Sequence, residues 1–104
     1  MPTAAHYLVL WEFHVKRERV SEFERTYGPD GSWAQLFRQS RDFLGTELIR
    51  DIEGHDRYLT LDRWTSREAL ERFKQEHAAE YAALDKECEN YTEREVFLGD
   101  FLTV

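Results

Sequence analysis

Hydrophobic and polar positions along this chain switch between two periods, and the switches mark out six elements. Residues His6 to Val15 are crowded with aromatic and β-branched side chains and predict a first strand. Val20, Phe23 and Tyr27 then recur at helical spacing among charged neighbours. Gly28-Pro29-Asp30-Gly31 breaks that helix, and Trp33, Leu36 and Phe37 resume an apolar stripe beyond it. Residues 43–52 and 57–64 predict two strands, joined through the polar link Glu53-Gly54-His55-Asp56 as a hairpin. A long helix follows over about residues 66–90, with room for a kink, and sets Leu70, Phe73, His77, Tyr81, Leu84 and Cys88 along one side. Residues 93–104 predict the last strand.

The junction at residues 57–73 carries the most information. Strand parity sets Tyr58, Thr60, Asp62 and Trp64 on one face and Leu59, Leu61 and Arg63 on the other. Thr65 is the expected N-cap of the next helix, with Glu68 completing a capping box. A carboxylate in mid-strand beside a tryptophan calls for an explanation, since one face of such a strand is normally apolar.

The order is β-α-β-β-α-β, which defines an α+β, ferredoxin-like domain with a four-stranded antiparallel sheet. Right-handed crossovers place both helical segments on one side of the sheet. Neither parity of the first and last strands is polar: in the first, Tyr7, Val9, Trp11 and Phe13 oppose Leu8, Leu10, Glu12 and His14. In the last, Phe97 and Phe101 oppose Val96, Leu98, Leu102 and Val104. Two apolar faces with helices for one predict that a second copy of the chain covers the other, making a homodimer.

Composition narrows the function classes. The 104 residues suit one domain, and the net charge of −7 disfavours nucleic acid or an anionic membrane as partner. No apolar run approaches the roughly 20 residues that span a bilayer. The segment from Met1 to His6 lacks the basic and apolar regions of a secretion signal. Cys88 is the one cysteine, so no internal disulfide forms, and a reducing, cytoplasmic setting is expected. Flanked by Glu87 and Glu89, Cys88 reads as a half-buried helical residue rather than a nucleophile.

Four segments together resemble the antibiotic biosynthesis monooxygenase (ABM) family of the dimeric α+β barrel superfamily. They are Phe13-His14-Val15 leading to a helix through Phe23-Glu24, the turn Tyr27-Gly28-Pro29-Asp30-Gly31-Ser32-Trp33, the strand Leu44-Gly45-Thr46-Glu47-Leu48, and Trp64 followed by Ser66-Arg67-Glu68-Ala69. Each is degenerate alone; their order and spacing make the match. The resemblance implies sheets paired back to back in a homodimer and a pocket between sheet and helices in each subunit. It also implies oxidoreductase chemistry in some members, which oxygenate aromatic polyketides without metal or flavin, so no cofactor is expected. Other members degrade haem, using an asparagine on the first strand and a tryptophan and histidine on the second helix. Those positions fall here near Trp11 or Glu12, near Phe73 and near Ala83, and none matches.

Candidate site residues follow from chemistry and parity. Trp64 and Trp33 offer large apolar walls for a flat ligand, with Phe73 beside them and Tyr58 and Tyr81 as hydroxyl handles. His77, between Phe73 and Tyr81 on the helical stripe, is one candidate base; Asp62, its pKa raised by burial, is the other. Each has a plain structural alternative: packed core aromatics, a core histidine bonded to backbone, and ion pairs joining Asp62 and Glu47 to Arg50 and Arg63, with Glu12 and His14 in the same network. No metal site is expected, since His6 and His14 stand about 27 Å apart along a strand and His77 with Glu80 makes only two ligands. The expected activity is cofactor-independent oxygenation of a small aromatic or polyketide-like molecule. The alternatives are a non-catalytic small-molecule-binding or dimeric scaffold module and a haem-binding protein without the degradation residues.

Overall fold

The computed structural model describes residues 5–104; the reading of the N-terminus as free of a secretion signal falls largely on residues outside that range. Four strands, β1 (Tyr7–Val15), β2 (Phe43–Arg50), β3 (Arg57–Trp64) and β4 (Thr92–Leu102), form one sheet in the order β2-β3-β1-β4, with every neighbouring pair antiparallel. Four helices, α1 (Val20–Tyr27), α2 (Ser32–Phe37), α3 (Arg67–Glu76) and α4 (Ala78–Cys88), complete the ferredoxin-like arrangement, and a 3-10 turn at Arg17–Arg19 leads into α1.

Turn chemistry explains the breaks. Gly31 backs onto the end of α1 so closely that a Cβ there would run into the carbonyl oxygens of Thr26 and Arg25. That approach lets α2 fold back against α1 and brings Tyr27 near Trp33, ring centres 6.2 Å apart. The β2–β3 link needs the left-handed region at Gly54, His55 and Asp56 (φ 91°, 61° and 49°). The long second helix is two helices: His77, at φ −118° and ψ 31°, ends α3 and starts α4. Its predicted stripe survives the break, with Leu70, Phe73 and Cys88 buried and Tyr81 and Leu84 packed on the core. The helix begins one residue later than predicted. Ser66 Oγ accepts the Ala69 N–H at 3.1 Å, while the Thr65 hydroxyl donates to Asp42 at 2.9 Å.

Directly opposed residues of an antiparallel pair share a face, so the register settles which parity meets the helices. Tyr7, Val9 and Phe13 of β1 and Tyr58, Thr60 and Trp64 of β3 are buried beneath them. Trp64 and Phe23 are fully buried and centre an almost continuous aromatic core. On β4 the simple alternation fails. A bulge at Leu98 shifts the pairing so that Phe97 opposes Trp11 while Phe101 opposes Leu8. Phe97 and Phe101 therefore lie on opposite faces, correcting the parity that grouped them.

The face away from the helices carries Leu8, Leu10, Leu59 and Leu61, all half-buried, with exposed Ile49 and Phe101. At one end of it Glu12 accepts from Arg57 Nε at 2.8 Å and bonds His14 Nε2 at 3.0 Å. The His14 and Arg57 bonds hold the Glu12 carboxyl below the usual carboxylate range. This network is separate from Asp62, which lies on the opposite face, and its cation is Arg57 rather than Arg50 or Arg63.

Candidate functional site

Between the helical face of the sheet and α1, α2 and α4 lies a cavity of about 210 Å³. Its walls are Trp11, Phe13, Tyr27, Trp33, Phe37 and Tyr81, and its polar groups are Thr46, Thr60, Asp62, Asp85 and Glu95. Strand pairing builds the polar side. Asp62 on β3 opposes Val9 and Thr46, and Thr60 opposes Trp11 and Leu48. Thr46 Oγ1 donates to Asp62 Oδ1 at 2.6 Å. Among the described residues no Lys, Arg or His side chain lies within salt-bridge distance of Asp62.

A half-buried carboxyl in an aromatic cavity with one neutral donor is a poor place for a full negative charge. Burial pushes the Asp62 carboxyl up from 3.8 to about 6, against the lowering effects of the Thr46 bond and the more distant Lys74 charge. Burial also raises Glu95, and it pushes the Tyr81 hydroxyl up to about 12 with added repulsion from Asp85, Asp62 and Glu95. Tyr81 is therefore a proton donor at neutral pH. Thr60 is 4 % exposed and lines the same cavity. The Trp33 Nε1–H is buried without a well-formed hydrogen bond, lying near the Tyr27 hydroxyl and the Cys88 thiol.

The sequence-derived candidates divide. Asp62, Trp33 and Tyr81 line the cavity together. Trp64, Tyr58, Phe73 and His77 do not. Trp64 is closed off by Phe37, Phe43 and Phe73, with ring centres 5.3–5.4 Å away. Tyr58 turns its hydroxyl to the Glu24 carboxylate on α1. His77 stacks on Phe73, centre to centre 4.5 Å, and its Nδ1 lies 2.9 Å from Glu80 Oε1, so its polar edge is engaged outside the cavity. Glu47, on the other parity of β2, opposes Leu61 and is exposed away from the cavity. Cys88 is deeper than expected at 1 % exposure, and burial raises its thiol pKa, so it is a packed core group.

Sequence reasoning missed Thr46, Thr60, Asp85 and Glu95. The first two were findable, since Thr60 shares Asp62's parity and Thr46 is its partner across the hairpin. Glu95 opposes Phe13, a pairing that only the β1–β4 register reveals. Asp85 sits in a stretch that reads as a solvated helix end. Among the described residues no group of three His, Cys, Asp or Glu side chains is placed to share a metal ion, and no helix is long and apolar enough to cross a membrane.

This architecture is that of a ferredoxin-like α+β protein with an aromatic cavity against its sheet. The antibiotic biosynthesis monooxygenase profile matches residues 6–84, and the chain belongs to that family. Solved structures agree on the fold. A candidate antibiotic biosynthesis monooxygenase from Bordetella bronchiseptica shares 23% identity, with TM-score 0.68 over 96% of this chain and 98% of the other. Protein PA3566 from Pseudomonas aeruginosa shares 15%, with TM-score 0.62 over 97% and 93%. A point mutant of SnoaB, a cofactor-independent oxygenase from Streptomyces nogalater, shares 19%, with TM-score 0.58 over 98% and 93%. At these identities the likeness is one of fold. No curated protein matches the chain.

Proposed function

We propose that this protein is a cofactor-independent monooxygenase of a small aromatic or polyketide-like molecule, with Asp62 as its base. The observation that carries the reading is the Asp62 carboxyl itself: inside an aromatic cavity and without a salt-bridge partner among the described residues, with burial pushing its pKa up to about 6. At neutral pH such a group is mostly ionised yet holds a proton more strongly than an ordinary aspartate, which suits it to proton abstraction. Asp62 takes a proton from an activated methylene carbon, and the carbanion reacts with O₂ to give a peroxide. Loss of water leaves a carbonyl. One methylene and one O₂ yield one carbonyl and one water, so the balance needs no external reductant. Trp33 and the neighbouring rings keep bulk water from the carbanion. The protein acts as a homodimer, its second apolar sheet face covered by another copy.

The engaged ring of His77 assigns it no part in this scheme, and the buried Trp64 serves as packing behind the site. A non-catalytic binding module would have its strand charges mutually paired and no polar group on the cavity wall, which fits Asp62 and Thr60 poorly. The test is oxygen uptake by purified protein with a reduced anthrone-type substrate and no added cofactor, with heat-killed protein as control. Uptake abolished by Asp62→Asn is the expected result. Uptake equal in the variant removes Asp62 as base, and product-free binding favours the module.

A further inference from the structure

The charge of the cavity is one-sided. Its lining includes Asp62, Asp85 and Glu95, and no lysine, arginine or histidine among the described residues. Asp62 on β3 and Glu95 on β4 are sheet residues and Asp85 belongs to α4; Asp85 and Glu95 are exposed. The rings of Trp11, Trp33, Tyr27 and Tyr81 line the same cavity. Lys74 is the nearby cation; its Nζ lies 5.6 Å from the centre of the Tyr81 ring and it is not part of the lining.

From this arrangement we infer that the cavity binds an organic cation, a protonated amine carried on a one- or two-ring aromatic body. Aromatic faces attract an ammonium through their quadrupoles, and carboxylates of one sign in a low-dielectric cleft concentrate the field that draws it in. The carboxylates are not gathered closely enough to share a metal ion, so an extended organic cation suits them better than an inorganic one. The size agrees: a cavity of about 150 Å³ admits benzene, and this one measures about 210 Å³, leaving space for a short aminoalkyl arm. Trp33 supplies an independent observation: it is 8 % exposed on the cavity wall, and its indole N–H is buried with no hydrogen-bond partner among the described residues.

The inference rests on the cavity being the substrate site of the proposed oxygenase, and it meets a need of that chemistry. A carbanion forming beside Asp62 is repelled by the carboxylates of the lining, and the cavity offers only neutral donors to stabilise it. A substrate ammonium supplies the missing positive charge.

Benzylamine, benzyl alcohol and benzoate have nearly the same shape and differ in charge. Their binding to the full chain at neutral pH is measured by calorimetry and by quenching of tryptophan fluorescence, for the natural protein and for Asp62→Asn and Glu95→Gln. The expected result is benzylamine at least tenfold tighter than benzyl alcohol, benzoate weakest, and the amine preference reduced several-fold in each variant. Circular dichroism confirms that the variants fold, and either alone is sufficient. Benzyl alcohol binding as tightly as benzylamine, or benzoate binding more tightly, overturns the cation assignment while leaving oxygenation of a neutral substrate intact. Binding of none of the three removes the cavity as a ligand site and the proposed function with it. Amine-selective binding without oxygen uptake by any amine tested keeps this inference and discards the oxygenase.

Discussion

Thr46 and Asp62 are partners across the β2–β3 hairpin, and the hydroxyl of one donates to the carboxyl of the other at 2.6 Å inside the cavity. Among the described residues this bond is the one direct support Asp62 receives from a side chain, and it is a neutral one. A fold selected for stability alone would place an apolar residue here, because a desolvated carboxylate without a cation is a net cost. Natural proteins carry such residues where chemistry requires them.

Replacing Asp62 with Asn is expected to stabilise the protein at neutral pH. The folded-state pKa is about 6 against an ordinary 3.8, so the native state binds the extra proton between those values. Stability from this group is present below about pH 4 and falls as pH rises to about 6. The loss is about 1–3 kcal/mol after allowing for solvent at the cavity wall. Urea unfolding of both proteins from pH 4 to 8 is the check. The difference should open between pH 4 and 6 and then stay level; parallel curves throughout would show that Asp62 titrates normally.

Thr46→Val keeps the volume and removes the donor. Because the Thr46 bond lowers the Asp62 pKa, losing it should raise that pKa further. Carbon-detected NMR titration of the Asp62 carboxyl should show the rise, and the acid limb of the oxygen-uptake profile should move to higher pH with it. A titration unchanged from the natural protein would mean that Thr46 does not hold Asp62 in its ionised form.

His77→Ala should leave turnover undiminished, with a stability change on the order of 1 kcal/mol for the lost stacking on Phe73 and the Glu80 contact. Steady-state oxygen uptake per folded molecule is the measurement. A loss of more than tenfold with the fold intact would return His77 to the mechanism.

His77 also shows where sequence stops being sufficient. Period-two alternation and turn residues located every strand to within a few residues, since burying one sheet face leaves a pattern that the chain itself records. The helical stripe also held, yet a residue on the stripe need not point its polar atoms into a cavity. The break at His77 and the neighbouring Glu80 decide where its ring turns. Asp62 was legible because a mid-strand carboxylate conflicts with its apolar parity. Asp85 and Glu95 were not, because each looks like an ordinary exposed charge until strand order sets β4 beside β1. Phe97 and Phe101 were misjudged together because a one-residue bulge at Leu98 inverts parity without changing composition.

The sheet face away from the helices gives the last prediction. Leu10 and Leu61 oppose one another at its centre, with Leu8 and Leu59 alongside and Phe101 half-exposed beyond. A patch of this kind on a folded chain is normally covered, and a twofold pairing of the same face covers both copies at once. Light scattering after size exclusion should therefore report a dimer. Leu61→Glu sets a carboxylate opposite Leu10 and, in the dimer, against its apolar counterpart, so it should shift the protein to monomer at micromolar concentration. The Glu12–Arg57 ion pair lies at the end of this face, and it becomes less screened once the face is covered. Dimer strength in the natural protein should accordingly weaken only modestly with added salt, as apolar burial dominates. A natural protein that runs as a monomer at all concentrations would refute the pairing, and a Leu61→Glu dimer would place the interface elsewhere.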